Sequence, residues 1–456
     1  MKILITGATG FIGRQVILYL RDRGHEIVVL TRDSQKAPVR LPIACPVFSW
    51  QGADQPPPRE AFAGVDAVVH LAGENIISRW TSSRKKEIII SRVESTRQLV
   101  SAMQNLNHQP KVFVCASAIG YYGDRGDESL DESAEPGEGF LPDLCRQWEQ
   151  EARQAEESGI RVVSLRIGVV LGHDGGALLP MLPPFRMGLG GKVGSGKQWM
   201  SWIHVRDLAG LILHAIETDT IKGPLNAVSP QPVPNVDFTQ TLATVLKRPH
   251  LFPVPGFVLK IIMGEASQVV LTSQRVTARK AAGFEFVFPE LKAALEDICS
   301  REDHVLLMEQ WVPRPIDEVF AFFSDAQNLE LLTPPHLHFK VLGLSTKQLQ
   351  EGTRIDYKLQ LHGIPFHWQS LIGEWNPVNH FSDTQMRGPY KKWYHTHTFI
   401  EQDGGTLIRD HALYRLPFGV PGDAVAYPFV KKDLEKIFGY RIAKVRELFG
   451  EKEQRV

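Results

Sequence analysis

The sequence predicts an α/β fold with a doubly wound parallel sheet, followed from about residue 300 by a smaller α+β unit. In the first part, short apolar runs rich in β-branched residues alternate with amphipathic helical stretches. This alternation favours a parallel sheet with helices on both faces. In the second part, strands of alternating polarity are separated by turn signals such as "DGG", which is typical of antiparallel strands. A chain of 456 residues is also too long for one typical core.

The elements can be placed along the chain in order. Short apolar runs predict buried strands at Lys2–Thr6, Ile27–Leu30, Ala67–Leu71, Val112–Ser117 and Val162–Ile167. Helical patterns lie between them, around Val16–Leu20 with an end at Gly24, over Arg84–Leu106 and over Asp143–Ser158. After a boundary between Cys299 and His304, one short helix and several strands precede a closing helix over about Asp423–Phe449.

The composition excludes several classes of partner. The formal net charge is 0, so no basic field points to nucleic acid or anionic membrane. No apolar run reaches the roughly 18 residues that a membrane-spanning helix needs. The start "MKILITGATG" lacks a signal-peptide profile because glycines interrupt the apolar run, and the four scattered cysteines are typical of reduced thiols. We therefore expect a cytoplasmic protein that acts on small molecules.

A glycine triplet follows the first predicted strand. Gly7, Gly10 and Gly13 form G-x-x-G-x-x-G between that strand and a helix. Such a turn brings backbone N–H groups and a helix N-terminus close to a pyrophosphate. The pattern therefore predicts dinucleotide binding, and the alternative is a turn that is merely tight.

The end of the second strand indicates which dinucleotide is bound. An acidic residue there would take the ribose 2′-hydroxyl and exclude a 2′-phosphate, whereas this chain has Thr31-Arg32, with Arg14 just past the last glycine. Arginine pairs with phosphate through two hydrogen bonds, which favours NADP(H) over NAD(H). The alternative is that Arg32 is a solvated loop charge.

Six ordered motifs carry a family resemblance over residues 1–298: "ITGATGFIG", "VVHLAGENI", "CASAIGYYG", "LRIGVVLG", "WIHVRDLAG" and "GPLNAVSP". The chain resembles atypical or extended short-chain dehydrogenases/reductases, and most of all the epimerase family proteins, described as predicted sugar-nucleotide epimerases. The resemblance implies a Rossmann-type NAD(P)-binding domain over residues 1–300. It also implies a small substrate-side subdomain at about 235–298, with substrate bound between the nucleotide core and the segment from about Phe185 to Phe288.

The resemblance also implies which residues meet the cofactor. Those expected along the pyrophosphate and the adenosine phosphate are Gly7, Thr9, Gly10, Phe11, Ile12, Gly13, Thr31 and Arg32. Those expected on the adenine-ribose side or near the substrate are Leu71, Ala72, Gly73, Glu74 and Arg79. Arg166, at the end of a buried strand, is a further candidate, and the alternative for it is a strand-end ion pair.

The catalytic residues of that superfamily are missing. A Ser or Thr followed by Tyr-x-x-x-Lys on one helix face carries the reaction there, because the lysine lowers the pKa of the tyrosine. Here the first serine of the motif is kept as Ser117, but the second, catalytic serine is replaced by Ala118. Cys145 and Glu149 occupy the tyrosine and lysine positions. The remaining catalytic candidates are Ser117, Cys145 if its thiolate is stabilised, and Tyr122 or its neighbour Tyr121 in place of the lost phenol.

Two functions therefore stay open. One is an NADP(H)-dependent epimerase or oxidoreductase with unusual catalytic residues, acting on a sugar nucleotide or carbonyl compound. The other is a non-catalytic NADP(H)-binding protein coupled to a module for a hydrophobic ligand. A small buried residue is the alternative role for Cys145, and aromatic packing is the alternative for the tyrosines.

The second unit, residues 303–456, has its own resemblance. "HVLLMEQWVPRPIDEVFAFFSDAQNLELLTPP" is similar to START-like SRPBCC domains of the polyketide-cyclase type. These have a helix-grip fold, in which a curved antiparallel sheet wraps a long C-terminal helix around an apolar cavity. Four tryptophans either line such a cavity or fill the core: Trp311, Trp368, Trp375 and Trp393.

A pair of histidines in this unit raises the question of a metal. His395 and His397 alternate on one strand and so share a face, to which His411 or His367 could add a third ligand. No carboxylate or cysteine joins them at a recognisable spacing, so no metal site is predicted. Paired polar residues on a solvated or cavity-facing strand are expected instead.

Overall fold

The chain folds into two units. The computed structural model describes residues 1–450, except for the side chain of Ala424. The first unit comprises Met1–Ser34 and Cys45–Arg301, and the second comprises Gln35–Ala44 and the described residues from Glu302 onward. Among the described residues, no helix is both long enough and apolar enough to span a membrane.

The first unit is built on a parallel sheet. Its strands are, in chain order, β1 Lys2–Thr6, β2 Glu26–Thr31, β3 Val47–Ser49, β4 Ala67–His70, β5 Val112–Ala118, β6 Ser129–Leu130, β7 Arg161–Ile167, β8 Val169–Leu171, β9 Trp199–Met200, β10 Trp202–His204, β11 Gly223–Ala227, β12 Val233–Pro234 and β13 Arg275–Val276. Seven of them form one sheet in the order β11-β7-β5-β4-β1-β2-β3, and every neighbouring pair is parallel. The predicted doubly wound Rossmann-type fold is therefore confirmed.

Helices connect these strands. In chain order they are α1 Phe11–Arg21, α2 Ala37–Arg40, α3 Ser82–Ile89, α4 Ser95–Gln104, α5 Phe140–Arg153, α6 Leu178–Arg186, α7 Val205–Glu217, α8 Asn235–Leu246, α9 Gly256–Met263, α10 Gln268–Leu271 and α11 Leu291–Ser300. The helix α1 buries Val16, Ile17 and Leu20, as the apolar spacing predicts. Successive connections from β1 lead to β2 on one side and, after β3, to β4 on the other. In open α/β sheets, ligands bind at the carboxyl ends of strands where the order reverses in this way.

The helix predicted over Arg84–Leu106 is interrupted. The helix α3 begins after Thr81, whose hydroxyl accepts a hydrogen bond from the Arg84 N–H. A π-helical turn, Ile90–Glu94, then joins α3 to α4. One extra residue in such a turn rotates the side chains that follow, and π turns occur frequently at functional sites.

The second unit is a seven-stranded antiparallel sheet against a long helix. Its elements are β14 His304–Val312, α12 Ile316–Phe323, α13 Asn328–Leu331, β15 Lys340–Leu344, β16 Arg354–Leu361, β17 Ile364–Asn376, β18 His380–Arg387, β19 Lys392–Gln402, β20 Gly405–Arg415 and α14 Gly419–Phe449. The strand order is β14-β20-β19-β18-β17-β16-β15. Asp403 and Gly404 form the β19–β20 turn with φ of 54° and 73°, as the "DGG" signal predicts. The predicted helix-grip fold is confirmed.

Candidate functional site

Two positions of the β1–α1 turn accept only glycine. Gly7 has φ +72°, and a Cβ on it would lie 2.6 Å from the carbonyl carbon of Leu71. A Cβ on Gly13 would lie 2.3 Å from the carbonyl oxygen of Gly7. No side chain of the described residues 1–450 caps the N-terminus of α1 at Gly10, so the N–H groups of its first turn are available to a charged ligand. This geometry fits a pyrophosphate.

The ends of β1 and β4 are tied together beside this turn. The Ala72 N–H donates to Thr6 Oγ1 at 3.2 Å, and the Thr6 hydroxyl shares a hydrogen bond of 2.6 Å with Nδ1 of His70. Burial lowers the pKa of His70 to about 3, so its ring is neutral at physiological pH. This network positions Leu71 against Gly7 and leaves Gly73 exposed at the sheet edge.

Three charged side chains, Arg32, Glu74 and Arg84, lie at the same edge of the sheet. Arg32 Nη1 donates to Glu74 Oε1 at 2.8 Å, and Arg84 Nη2 lies 3.4 Å from the other carboxylate oxygen of Glu74. The Arg32 side chain is 74% exposed, so a ligand can approach it. Thr31 is half-buried at the end of β2 and Arg79 is exposed. The structure therefore brings Arg32 and Glu74 together in an ion pair.

Sequence reasoning missed Arg92, in the π-helical turn. Its Nη2 donates to the backbone carbonyl of Glu74 at 2.8 Å, and its guanidinium carbon lies 5.3 Å from the centre of the Trp148 ring. Burial lowers its pKa to about 10, which leaves it charged at neutral pH. The available signal was an arginine four residues after the buried Ile88 and seven before the buried Leu99, within the apolar stripe of the helix.

The residues at the catalytic positions form a closed, buried network. Arg166 Nε and Nη2 donate to the two carboxylate oxygens of Glu149, each at 2.9 Å, and Ser117 Oγ donates to Glu149 Oε1 at 2.7 Å. Glu149 is 4% exposed and Arg166 3%. Burial lowers the pKa of Arg166, but its interaction with Glu149 outweighs burial and the pKa is raised. Arg166 is thus held in a bidentate ion pair, the alternative that its strand-end position had left open.

The tyrosines continue this network. Arg166 Nη1 donates to the Tyr122 hydroxyl at 2.9 Å, and that hydroxyl donates to Asn226 Oδ1 at 2.7 Å. Tyr122 is 0% exposed, and burial raises its pKa. Tyr121 stacks on Arg166, with 3.4 Å from the guanidinium carbon to the ring centre, and is only half-buried. Of the two phenols, Tyr121 is therefore the one that solvent or a ligand reaches.

Cys145, at the position of the missing tyrosine, is 2% exposed on α5. Burial raises the pKa of its thiol to about 12, and the neighbouring Glu149 carboxylate acts in the same direction. Thiolate is the nucleophilic form of cysteine. The environment therefore keeps Cys145 protonated at neutral pH, which argues against a nucleophilic role.

Three further predicted residues, Thr9, Phe11 and Ile12, belong to the β1–α1 turn and the start of α1. The Phe11 ring packs so closely on Gly172, Gly175 and Gly176 that a Cβ on any of them would meet it within 3.0 Å. Thr9 and Ile12 are half-buried. Apart from Arg79, which lies beside Gly264, the predicted residues thus form two groups, one along the glycine turn with Arg32 and Glu74, and one around Glu149.

In the second unit, the tryptophans lie in separate places. Trp368 and Trp393 are buried in one apolar cluster with Leu434 and Phe438 of α14. Trp375 packs against a second cluster, and Trp311 donates its ring N–H to the Gln402 carbonyl.

His395 and His397 are buried on the face of the second sheet that packs against α14, and two carboxylates join them there. Asp383 and Asp410 come from the strands on either side of β19. His411 and His367, the partners considered from the sequence, are not among the grouped donors. Cross-strand neighbours lie far apart in sequence, which is why spacing along the chain did not reveal these two aspartates.

The first unit has the strand order and the glycine turn of a dinucleotide-binding Rossmann protein. The model of the NAD dependent epimerase/dehydratase family matches residues 3–227, and the model of a domain of unknown function matches residues 254–298. The model of the family described as polyketide cyclase / dehydrase and lipid transport matches residues 312–437. The epimerase family protein SDR39U1 homolog of Arabidopsis thaliana is 43% identical over 65% of this chain and 86% of its own length. The chain belongs to the epimerase family proteins, and its C-terminal unit is an SRPBCC domain.

Solved structures agree with this assignment. Human epimerase family protein SDR39U1 with NADPH is 37% identical, with a TM-score of 0.60 over 66% of this chain and all of that one. The nucleoside-diphosphate sugar epimerase from Corynebacterium glutamicum is 33% identical, with a TM-score of 0.53 over 65% of this chain and 58% of that one.

Proposed function

We propose that the chain binds NADP(H) at the carboxyl edge of its parallel sheet. The supporting geometry is the glycine turn before α1, whose uncapped N–H groups suit the pyrophosphate. The solved human relative carries NADPH. A bound nicotinamide would supply a hydride donor or acceptor, and the chain's own residues would bind and orient it.

The preference for the 2′-phosphate rests on Arg32. In the structure, its guanidinium is paired with Glu74 and is otherwise exposed. A phosphate carries more charge than a carboxylate and offers more acceptor oxygens, so it competes well for the same guanidinium. Arg84 also lies beside Glu74 and keeps that carboxylate paired when Arg32 turns to the phosphate.

Replacement of Arg32 by Ala should weaken NADPH binding and leave NADH binding nearly unchanged. Loss of one hydrogen bond to a charged group, worth about 1.5–3 kcal/mol, corresponds to roughly 10- to 100-fold in Kd for NADPH. Fluorescence titration of the reduced nucleotides measures both constants. Arg21→Ala, at the opposite end of α1, is the control and should bind NADPH like wild type. An equal loss for NADPH and NADH would contradict a role in phosphate recognition.

We further propose that the chain does not use proton transfer of the Ser-Tyr-Lys type. The observation that carries this is the bidentate pair between Arg166 and Glu149, buried to about 97% and 96% and sharing Ser117 and Tyr122. Each polar group of the network already has a partner, and the Cys145 thiol beside it is protonated at neutral pH. The function supported best is therefore NADP(H) binding in a member of the epimerase family whose former catalytic helix is structural.

An active epimerase or oxidoreductase is the second candidate, and Tyr121 is the observation that favours it. Tyr121 is only partly buried while its ring stacks on Arg166, so it combines access with a nearby positive charge. A carbonyl compound or sugar nucleotide is the substrate class that the family relationship suggests.

One comparison separates these two candidates. Turnover of NADPH should be undetectable with a panel of carbonyl compounds and sugar nucleotides, and Cys145→Ser and Tyr121→Phe should bind NADPH with unchanged Kd. The Cys145 thiol should also resist iodoacetamide at pH 8 until the protein is unfolded, because its pKa is raised to about 12. NADPH turnover that falls in Tyr121→Phe would establish the second candidate, and turnover that falls in Cys145→Ser would restore Cys145 as a catalytic residue.

For the second unit, we propose a hydrophobic small-molecule ligand. Two apolar clusters rich in aromatic residues lie between its sheet and α14, and the matching family is described as polyketide cyclase / dehydrase and lipid transport. Native mass spectrometry of the full chain should show a co-purified apolar molecule that is removed by organic extraction. A protein of bare polypeptide mass that takes up no added fatty acid would contradict this proposal.

A further inference from the structure

Four ionisable side chains project from three neighbouring strands onto one face of the second sheet. Asp383 on β18 is paired with His395 on β19, and His397 is paired with Asp410 on β20. His395 and His397 are each 5% exposed, Asp383 17% and Asp410 13%. The burial of four such groups needs a reason, because the cost of removing charges from water is several kcal/mol per ion.

The two imidazoles contact the two carboxylates differently. On the side of Asp410, His395 Nε2 and His397 Nδ1 lie 3.1 and 2.8 Å from the same oxygen, Oδ1. These are hydrogen-bond distances. On the side of Asp383, His395 Nδ1 and His397 Nε2 each lie 3.6 Å from Oδ2. That separation is too long for a good hydrogen bond.

The two 3.6 Å distances to Asp383 Oδ2 are close to the separation between neighbouring donor atoms around a bound metal ion. A tetrahedral ion with bonds of about 2.1 Å holds its donor atoms about 3.4 Å apart. One nitrogen from each histidine and one oxygen of Asp383 lie mutually within 4.8 Å. The opposite ring nitrogens are bonded to Asp410, and imidazoles that ligate a metal almost always donate their other N–H to such a carboxylate.

We propose that Asp383, His395 and His397 bind a divalent transition-metal ion, with Asp410 orienting both imidazoles. Two imidazole nitrogens and one carboxylate oxygen suit Zn²⁺ or Co²⁺ and leave a fourth position open.

Neighbouring groups support this arrangement. Ser370 Oγ donates to Asp383 Oδ1 at 3.3 Å, which leaves Oδ2 directed toward the histidines. Among the described residues, Asp383 has no arginine or lysine within ion-pair distance, whereas Arg441 Nη2 lies 3.7 Å from Asp410 Oδ1. A bound metal ion would supply a positive charge to the Asp383 carboxylate.

The position of the cluster indicates what the open site would face. Trp393 and Phe399 flank the histidines along β19, and each belongs to a different apolar cluster of this unit. The metal would therefore lie where the two apolar clusters meet under α14. A water molecule or an oxygen of an otherwise apolar ligand would complete its coordination.

Cobalt binding by the full chain, freed of any polyhistidine tag and treated with chelator, tests the proposal. Wild type should take up about one equivalent of Co²⁺ with visible absorption of a four- or five-coordinate site. The sulfur-to-metal charge-transfer absorption of cysteine ligation should be absent. Zn²⁺ should displace the Co²⁺ and raise Tm, since a ligand that binds only the folded state stabilises it.

Variants distinguish a metal site from an ion-pair network. Asp383→Asn and His395→Gln should lose the tightly bound Co²⁺, and Asp410→Asn should bind Co²⁺ about 10- to 100-fold more weakly. His411→Gln, on the other face of the sheet, should bind Co²⁺ like wild type. Circular dichroism verifies that each variant is folded. The proposal is overturned if folded wild type binds no more Co²⁺ than Asp383→Asn, or if the wild-type spectrum shows only six-coordinate, loosely bound metal.

Discussion

The Glu149→Ala variant is expected to unfold with a free energy about 3–5 kcal/mol below that of wild type, because it leaves a buried charge unpaired. Arg166 is 3% exposed and, among the described residues, has no other carboxylate within ion-pair distance. Ser117 would also lose the acceptor of its hydroxyl. Urea denaturation followed by circular dichroism and tryptophan fluorescence measures the loss.

Two further variants make this result specific. Glu151→Ala lies on the same helix and removes a bidentate pair with Arg97, which is 49% exposed and keeps its pair with Glu94, so it should cost about 1 kcal/mol or less. The double variant Glu149→Leu/Arg166→Met removes both charges and should be much more stable than Glu149→Ala, since apolar replacement of a buried pair is often neutral. If Glu149→Ala is no more damaging than Glu151→Ala, the network does not hold the fold.

This prediction follows from the residues that this chain has at the positions that are catalytic in the superfamily. The superfamily keeps a lysine where this chain has Glu149, and here the carboxylate is neutralised by Arg166 from the neighbouring strand β7. A lysine at position 149 would face Arg166 and repel it. The arginine therefore explains why an acidic residue is stable at that position.

The fold was predictable because its signals are local. The five predicted strands of the parallel sheet, β1, β2, β4, β5 and β7, are short runs rich in apolar residues, and Gly13 is required by a contact within its own turn. The Asp403-Gly404 turn is likewise specified by its own two residues. Such features depend on a few consecutive residues, so the sequence contains nearly all the information about them.

The partners within the sites were not predictable in the same way. Arg166 and Glu149 are separated along the chain, and the charge at each position has no preferred partner until α5 and β7 are packed. Asp383 and His395 meet only because of the register between β18 and β19. A one-residue shift in register would send one of them to the other face. Long-range packing, rather than residue type, decides these contacts.

The glycine turn gives the second large effect. Gly13→Ala should destabilise the protein by about 1–3 kcal/mol, because its Cβ would lie 2.3 Å from the Gly7 carbonyl oxygen and force the backbone apart. The same displacement moves the N–H groups of the α1 N-terminus. NADPH affinity should therefore fall by roughly 100-fold, the loss of one or two charge-assisted hydrogen bonds. Chemical denaturation without nucleotide and NADPH titration measure the two effects separately.

Gly10→Ala is the matched comparison within the same turn. Gly10 has φ −80°, which alanine adopts freely, and the nearest atom to its Cβ would be the Gly7 carbonyl oxygen at 3.2 Å. Stability should stay within about 0.5 kcal/mol of wild type, while NADPH binding weakens because the new methyl group occupies the approach of the pyrophosphate. Gly10→Ala would then lower the NADPH affinity alone, whereas Gly13→Ala would lower both the NADPH affinity and the free energy of unfolding. Unchanged NADPH affinity in folded Gly10→Ala would show that the nucleotide does not lie on this turn.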